Sequence, residues 1–187
     1  MKSPVINFSG EHVALGPLDH DYLDVYMKCN NDFQTTRTLS LSKPTTRKQL
    51  SDFIDHLSED ADSVFFTIFE KSSGRPIGFT YLDRIDHRNR TATYAIVICE
   101  EECRGKGYGT ETTLLMMNYA FAVLGIHNLS LTVYEFNKPA IRCYQKAGFV
   151  QFGRRRQCHF MGGKLWDEIW MECLSTEFTC TLPQWTF

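Results

Sequence analysis

Three glycines in five positions, directly ahead of an amphipathic helix pattern, most strongly constrain how this chain can fold. The stretch ECRGKGYGTETTLLMMNYAFAVLG places Gly105, Gly107 and Gly109 where a strand turns into a helix. Each glycine costs backbone entropy, so three together indicate that something approaches the backbone closely. Because a helix N-terminus carries unpaired N–H groups and about half a positive charge, we expect phosphate oxygens to bind here. The alternative is a tight connection without a ligand, in which Arg104 and Lys106 are merely solvated.

Two familiar phosphate motifs do not fit this stretch. A P-loop requires Lys followed by Ser or Thr after its last glycine, whereas Lys106 is followed by Gly107. The dinucleotide-binding fingerprint requires a G-x-G-x-x-G spacing and an acidic residue for the ribose after the next strand. Here the spacing is G-x-G-x-G, and Thr110 stands where the third glycine of the fingerprint would be. The phosphate site therefore belongs to another class.

Apolar periodicity predicts a mixed α/β chain around one sheet. A first strand is expected in VINFSGEHVAL, followed by helices in LDHDYLDVYMKCNND and TRKQLSDFIDHLSED, the second of them capped by Thr45 or Thr46. The runs SVFFTIFEK, RPIGFTYLDRID and TATYAIVICE predict an antiparallel meander. A helix over 109–124, a strand in NLSLTVYEF, a helix in NKPAIRCYQKAG and a hairpin turning at Gly162 and Gly163 complete the order.

Length and composition narrow the class of protein. The 187 residues fit one domain over 1–187, with a core at 5–174 and a C-terminal tail at 175–187. A net charge of −2 gives no reason to expect a nucleic-acid or membrane partner, and no apolar run has membrane-spanning length. An odd number of cysteines without a signal peptide predicts a cytoplasmic protein with reduced thiols at Cys29, Cys99, Cys103, Cys143, Cys158, Cys173 and Cys180.

A second strand-to-helix block, NKPAIRCYQKAGF, follows the glycine block. The pattern R-x-x-G-x-G from Arg104 and the pattern N-x-x-A-x-x-x-Y-x-x-x-G-F from Asn137 together resemble motifs A and B of the GNAT superfamily of N-acetyltransferases. The resemblance covers residues 5–174 in element order and is specific at residue level mainly over 89–173. Within the superfamily, the sequence is most similar to the branch of ribosomal-protein and spermidine N-acetyltransferases.

This resemblance implies a fold and a reaction. The fold is a single α/β domain with a twisted, mostly antiparallel sheet of about seven strands, splayed at the acetyl-CoA site and flanked by about four helices. The reaction is acetyl-CoA-dependent transfer to a primary amine by direct attack on the thioester, with no metal. The pyrophosphate would lie on the backbone N–H groups of Arg104, Gly105, Lys106, Gly107, Tyr108, Gly109 and Thr110. Free backbone groups of the splayed strand, at Ile96, Val97 and Ile98, would pair with the pantetheine arm, although a β-branched core strand explains these three without a ligand.

The resemblance also assigns roles to two side chains of the second block. Tyr144 matches the family's general acid, which protonates the coenzyme thiolate as it leaves. An ordinary phenol pKa of about 10 lies close to that of a thiol, so we expect little uphill cost for this transfer. Packing beside Ile141 on the inner helix face is the alternative. Asn137 is expected to cap its helix, and the family position also hydrogen-bonds the coenzyme.

The sequence departs from the branch at the residue that would accept the amine's proton. Thr93 aligns where branch members commonly carry a glutamate, and threonine is not a base, so deprotonation must use a water, another group or an already neutral amine. The junction CEEEC also lacks the usual proline. Its residues Glu100, Glu101 and Glu102 either attract a cationic substrate or form an exposed acidic turn.

Several alternatives stay open. Asp83, Asp86, His87 and Arg88 either line an acceptor pocket or form a hydrated hairpin loop. The C-x-x-x-C spacing of Cys99 and Cys103 has no second pair, which argues against zinc. A non-catalytic acyl-CoA-binding module is the alternative to an enzyme. The acceptor is open among a protein N-terminus, a polyamine and an amine-bearing small molecule, and the chain is either a monomer or a homo-oligomer.

Overall fold

The computed structural model describes residues 4–39, 41, 43–57 and 59–179. Its strands are β1 (Phe8–Ser9), β2 (Val13–Pro17), β3 (Val64–Glu70), β4 (Arg75–Asp86), β5 (Thr91–Ile98), β6 (Asn128–Tyr134), β7 (Val150–Met161) and β8 (Lys164–Leu174). Its α-helices are α1 (Leu23–Asn31), α2 (Phe33–Thr36), α3 (Arg47–Leu57), α4 (Tyr108–Asn118) and α5 (Lys138–Ala147). Short 3-10 turns occur at His20–Tyr22 and Glu101–Cys103, and a π-helical segment, Tyr119–Val123, continues α4.

The strands form one sheet in the order β1-β2-β3-β4-β5-β6-β8-β7. All neighbouring strands are antiparallel except β5 and β6, which run parallel. This parallel pair is short, because only Thr91–Thr93 of β5 are in register with Asn128–Ser130 of β6. Beyond Thr93 the two strands diverge, so the sheet is open along the second half of β5, which leads to the glycine loop. The predicted mostly antiparallel, splayed sheet is confirmed, with one strand and one helix more than expected.

Helices cover the two faces of the sheet differently. Buried side chains of α4, including Leu115 and Met116, pack with Leu129 and Leu131 of β6 in the main core. On the other face, Leu23 and Tyr26 of α1 pack with Leu50 and Ile54 of α3. Phe79 of β4 contacts this second cluster, whereas Leu82 belongs to the main core, as the alternation of a strand requires. The sheet thus separates a core on the α4 and α5 side from a smaller cluster under α1 and α3.

The predicted helix caps and hairpin turn are confirmed. Before α3, the Thr46 hydroxyl accepts the Gln49 N–H at 3.3 Å, and the Gln49 side chain accepts the Thr46 N–H at 2.9 Å. Before α5, the Asn137 side chain accepts the Ala140 N–H at 3.3 Å. Between β7 and β8, both turn glycines have left-handed φ angles, +61° at Gly162 and +75° at Gly163, which the two-residue hairpin loop requires.

The prediction of one first strand is wrong, because the segment folds back as the β1–β2 hairpin. Phe8 pairs with Leu15 across it. The hairpin is held by α4, since the Glu111 carboxylate accepts the N–H groups of His12 at 2.9 Å and Val13 at 3.3 Å. Glu111 stands 99 residues from His12 in sequence, so local periodicity does not reveal this contact.

The prediction that all seven cysteines are reduced thiols is wrong for two of them. Cys29 of α1 and Cys99, which follows β5, form a disulfide with a Cα–Cα distance of 5.0 Å. The pairing depends on α1 packing across the end of β5, a contact that spans 70 residues of sequence. The described free thiols are Cys103, Cys143, Cys158 and Cys173, whereas Cys180 lies outside the described residues.

Within the part of the chain that the structure describes, none of the helices combines the length and the apolar composition that a membrane span requires.

Candidate active site

The glycine loop exposes the backbone at the start of α4. Gly105 and Gly107 have left-handed φ angles of +75° and +89°, which L side chains rarely adopt. A Cβ atom at either position would meet no heavy atom within 4 Å, so the space beside them is open. The Glu111 N–H donates to the Gly107 carbonyl at 3.0 Å as the helix begins. The N–H groups of residues 108–110 precede this bond, as the unpaired donors of a helix start do.

The Arg104 side chain fastens the loop to the end of β5. Its guanidinium donates to the Ile98 carbonyl at 3.1 and 3.2 Å and to the Cys99 carbonyl at 3.3 Å. It also donates to the Thr35 hydroxyl of α2 at 3.0 Å. The alternative of a merely solvated Arg104 is therefore wrong, and its side chain is committed to protein contacts.

Two further residues at this helix start, Lys106 and Tyr108, also contact other side chains. The Lys106 ammonium lies 5.8 Å from the centre of the Tyr108 ring. The Tyr108 hydroxyl donates to the Glu70 carboxylate at 3.1 Å, which connects the first residue of α4 to the end of β3. These contacts restrict the start of α4, and a restricted site loses less entropy when it binds a ligand.

The third glycine has a different structural reason from the first two. A Cβ atom at Gly109 would lie 3.3 Å from the Cys143 sulfur of α5, so Gly109 allows the two helices to approach. The Thr110 hydroxyl donates to the same sulfur at 3.5 Å. Burial raises the pKa of the Cys143 thiol, so it is not an activated nucleophile. This contact fixes α5, and with it Tyr144, relative to the glycine loop.

The C-terminal half of β5 borders the opening in the sheet. Ile96 and Ile98 are partly buried against the main core, whereas Val97 is buried on the opposite face with Cys29 and Cys99. In the described chain, β5 has no partner strand on its β6 edge after Thr93. The side chains of residues 96–98 therefore serve the core, and their backbone borders the gap.

Tyr144 is buried where α5 meets β5. Its ring contacts Tyr94 and Phe149 edge-on, at centre distances of 6.2 and 6.0 Å. Burial raises the pKa of Tyr144 well above its usual value, and Cys143 and Tyr81 add to the rise. The expectation of a phenol matched to a thiol is therefore wrong for the free protein. Tyr144 keeps its proton throughout the neutral range, and complete transfer to a thiolate is uphill.

A cavity of about 770 Å³ lies on the opposite face, under α1 and α3. Most of its lining is apolar or aromatic, including Tyr26, Phe53, Phe65, Phe79 and Tyr81. Val97 also lines it, so the cavity reaches the strand that borders the sheet opening. Among the described residues the charged lining side chains are Lys43, Asp60 and Asp83. The arrangement suits a ligand with an apolar body and a small number of polar groups.

The structure separates the four residues that the sequence grouped around Asp83. Asp83 itself lines the cavity. Asp86 instead accepts the backbone N–H and the side-chain amide of Asn89 at 2.8 and 2.7 Å, within the β4–β5 turn. His87 and Arg88 are exposed in that turn. The pocket interpretation therefore applies to Asp83, and the hydrated-loop interpretation applies to the rest.

The acidic junction before the glycine loop is engaged in ion pairs. Glu100 pairs with Lys28 at 2.8 Å, and Glu102 pairs with Arg75 at 3.0 Å. This supports the exposed acidic turn over a substrate-attracting cluster. In the described residues, no three side chains of the types that bind metal ions come together.

Comparison with known proteins decides the family. A profile of the acetyltransferase (GNAT) domain matches residues 12–150, which is most of the chain. The chain belongs to the GNAT acetyltransferase family. An uncharacterized N-acetyltransferase of Bacillus subtilis, the SPbeta prophage-derived YokL, is 26% identical over 175 residues, covering 93% of this chain and 96% of that protein. The human alpha/beta-tubulin-N-acetyltransferase 9 is 32% identical over 153 residues, covering 76% of this chain and 74% of that protein.

The fold of this GNAT acetyltransferase also matches a solved structure. The spermidine N-acetyltransferase of Vibrio cholerae, in complex with CoA and spermine, superimposes with a TM-score of 0.83 at 23% identity. The match covers 90% of this chain and 98% of that one. The predicted family, fold class and enzyme class are confirmed: the chain is an N-acetyltransferase with acetyl-CoA as donor, and the non-catalytic alternative is not favoured.

Sequence reasoning missed three features of this GNAT acetyltransferase. These are the Arg104 bonds to the end of β5, the contact of Cys143 with the start of α4, and the Cys29–Cys99 disulfide. The Cys143 contact and the disulfide join segments 33 and 70 residues apart, so no local pattern marks them. The Arg104 bonds span only five or six residues, but they depend on the conformation of the loop after β5.

Proposed function

We propose that this N-acetyltransferase acts on the primary amine of an acceptor whose body is largely apolar, bound in the cavity under α1 and α3. The observation that carries the proposal is the aromatic lining of a cavity that reaches Val97 beside the sheet opening. A protein N-terminus that begins with a bulky apolar residue, or an arylalkylamine, has this chemistry.

The donor site follows from the loop geometry. The backbone N–H groups from Arg104 to Thr110 take the pyrophosphate of acetyl-CoA, because the left-handed glycines leave open space beside them. The pantetheine arm lies along the free backbone edge of residues 96–98. Asn137, whose side chain caps α5, adds a contact to the coenzyme. The thioester then reaches the part of β5 that borders the cavity.

The transfer itself needs few protein groups. The neutral amine nitrogen attacks the thioester carbonyl carbon, a C–N bond forms, and the C–S bond breaks to release the coenzyme thiolate. Tyr144 serves that thiolate as acid or hydrogen-bond donor. Because burial raises the pKa of Tyr144, we propose that its O–H first donates a strong hydrogen bond to sulfur and loses its proton only as charge develops there.

Charge argues against a polyamine as the preferred acceptor. The solved Vibrio cholerae structure is a complex with spermine, a molecule that carries several ammonium groups. In the described chain, the cavity lining offers two carboxylates, Asp60 and Asp83, and one opposing lysine, Lys43. Burying several ammonium groups among aromatic rings without a carboxylate for each would be costly.

A turnover assay that reads free thiol release tests this proposal. The acceptors are phenethylamine, spermidine, and two peptides that differ only in beginning with Met-Leu or with Ser-Gly. We expect kcat/KM for phenethylamine and the Met-Leu peptide to exceed the values for spermidine and the Ser-Gly peptide by at least about tenfold, because burial of one large apolar side chain is worth about 1.5–3 kcal/mol. A preference for spermidine would contradict the apolar acceptor, and no thiol release with any amine would favour a binding module.

A further inference from the structure

We infer that Asp83 is the carboxylate that binds the acceptor's ammonium group and takes its proton, in place of the glutamate that related enzymes carry at the position of Thr93. The inference rests on the proposed function, because it places the amine of the acceptor in the same cavity.

The strand register puts Asp83 beside the position that lacks a carboxylate. In the β4–β5 ladder, Asp83 is paired directly with Thr93. Directly paired residues of antiparallel strands have their side chains on the same sheet face, with Cβ atoms about 5 Å apart. A carboxylate on β4 therefore stands one strand away from the usual position, on the face that the cavity occupies.

A bulge directly follows this carboxylate. The β4–β5 register shifts between Asp83 and Asp86, and Arg84 has a left-handed φ of +50°. This conformation is uncommon for a residue other than glycine, and bulges of this kind re-aim neighbouring side chains. Asp83 lines the cavity together with Phe79 and Tyr81, as the alternation of a strand requires, and the residues after the bulge lead out to the exposed turn.

Asp83 has an unmet hydrogen-bonding requirement. Its Oδ1 atom is buried and has no hydrogen-bond partner among the described residues. A buried carboxylate oxygen without a donor is unfavourable, so the folded protein gains nothing from it structurally. An ammonium group entering the cavity supplies both the donor and the opposite charge. Burial also raises the pKa of the Asp83 carboxyl, with Arg84 offsetting part of the rise, which makes it a stronger base.

Tyr81 interacts electrostatically with both Asp83 and Tyr144. Burial raises the pKa of Tyr81, and the Asp83 carboxylate adds to the rise. Tyr81 in turn acts on the pKa of Tyr144, after burial and Cys143. One phenol therefore interacts with both of the proposed proton-handling groups.

The protons balance in this arrangement. The ammonium group gives one proton to Asp83, directly or through one water, and Asp83 later releases it to solvent. The neutral nitrogen attacks the carbonyl carbon and forms the C–N bond. When the C–S bond breaks, the sulfur takes a proton from Tyr144. The nitrogen loses its second proton, which replaces the one that Tyr144 gave up. The products are the N-acetyl amide, free coenzyme thiol and one proton.

The variant Asp83→Asn tests the inference, with Asp86→Asn as the matched control in the exposed turn. We expect Asp83→Asn to lower kcat/KM for the acceptor by about 10²- to 10⁴-fold at neutral pH, with acetyl-CoA affinity unchanged. Its rate should rise with pH until the amine's own pKa, because only neutral amine then reacts. The other ionisable groups around Asp83 are Arg84 beside it and the described cavity residues Tyr26, Lys43, Asp60 and Tyr81, which all variants retain. Asp86→Asn should match the unmodified protein.

Two further readouts separate a functional role from a structural one. The pKa of Asp83 in the folded protein lies above its ordinary value, so the ionised carboxylate destabilises the folded state at neutral pH. Asp83→Asn should therefore melt at a temperature no lower than that of the unmodified protein. In calorimetry with CoA present, the unmodified protein should bind phenethylamine at least about tenfold more tightly than 2-phenylethanol. Asp83→Asn should abolish that difference.

Specific outcomes would overturn the inference. One is an Asp83→Asn enzyme within about threefold of the unmodified rate. Another is loss of activity in Glu172→Gln or Glu168→Gln but not in Asp83→Asn. Both are carboxylates of β8 on this sheet face, and Glu172 pairs with Ser130, the β6 partner of Thr93. A third is equal binding of the amine and the alcohol by the unmodified protein. If no amine is acetylated, the proposed function fails, and the calorimetric comparison still tests Asp83.

Discussion

Replacing Gly107 with alanine tests two effects separately: the backbone strain of a side chain at a left-handed φ, and the loss of open space for phosphate oxygens. At φ +89° a non-glycine residue is strained by about 1–2 kcal/mol, so the variant should melt about 2–8 °C lower. The added methyl group meets no protein atom within 4 Å, so no steric cost adds to this in the free protein. It does occupy the open space where phosphate oxygens approach the helix start. We expect the Kd for acetyl-CoA to rise at least tenfold, about 1.4 kcal/mol.

Gly74 provides the matched control. It lies in the β3–β4 turn with φ +67°, and a Cβ atom there would also meet nothing within 4 Å. Gly74→Ala should therefore lose similar stability and keep its affinity. Calorimetry on both variants, with melting curves to confirm folding, measures the difference. Equal acetyl-CoA affinities in the two folded variants would refute phosphate capture at this loop.

Two further predictions concern the acid and the disulfide. Tyr144→Phe should lower kcat by about 10²-fold or more with little change in acetyl-CoA affinity, whereas Thr93→Ala should leave the rate nearly unchanged. If steady-state kinetics show the Tyr144→Phe rate within about threefold of the unmodified protein, the acid role is excluded. Thiol titration of the denatured protein should find two fewer reactive cysteines before reduction than after it. Reducing the Cys29–Cys99 bond should lower the free energy of unfolding by up to about 4 kcal/mol, as a denaturant titration would show, because it opens a loop of 70 residues.

Features with a local physical cause were predictable from sequence. The glycine loop, the Thr46 and Asn137 caps and the Gly162 turn each follow from the conformational preferences of a few neighbouring residues. Each could be placed before the fold was known, because its hydrogen bonds close within about one helical turn or hairpin.

Features that depend on distant segments were not predictable in this way. The β1–β2 hairpin is held by Glu111 of α4, which lies 99 residues from His12, so the sequence around residue 10 does not indicate this contact. Asp83 was recognised only as one of several turn residues, because the bulge that separates it from Asp86 is a property of strand pairing. The raised pKa of Tyr144 likewise follows from its burial against Tyr94 and Phe149, which spacing along a helix does not reveal.

The covalent link between Cys29 and Cys99 has a consequence for how an acceptor enters and leaves. It links α1 covalently to the end of β5, and Arg104 adds a hydrogen bond from the following loop to Thr35 of α2. The other wall of the cavity, α3, contacts α1 through noncovalent interactions in the described chain, such as the ion pair of Arg47 with Asp24. We therefore expect acceptors to enter and leave the cavity through movement of α3, while α1 stays attached to the end of β5.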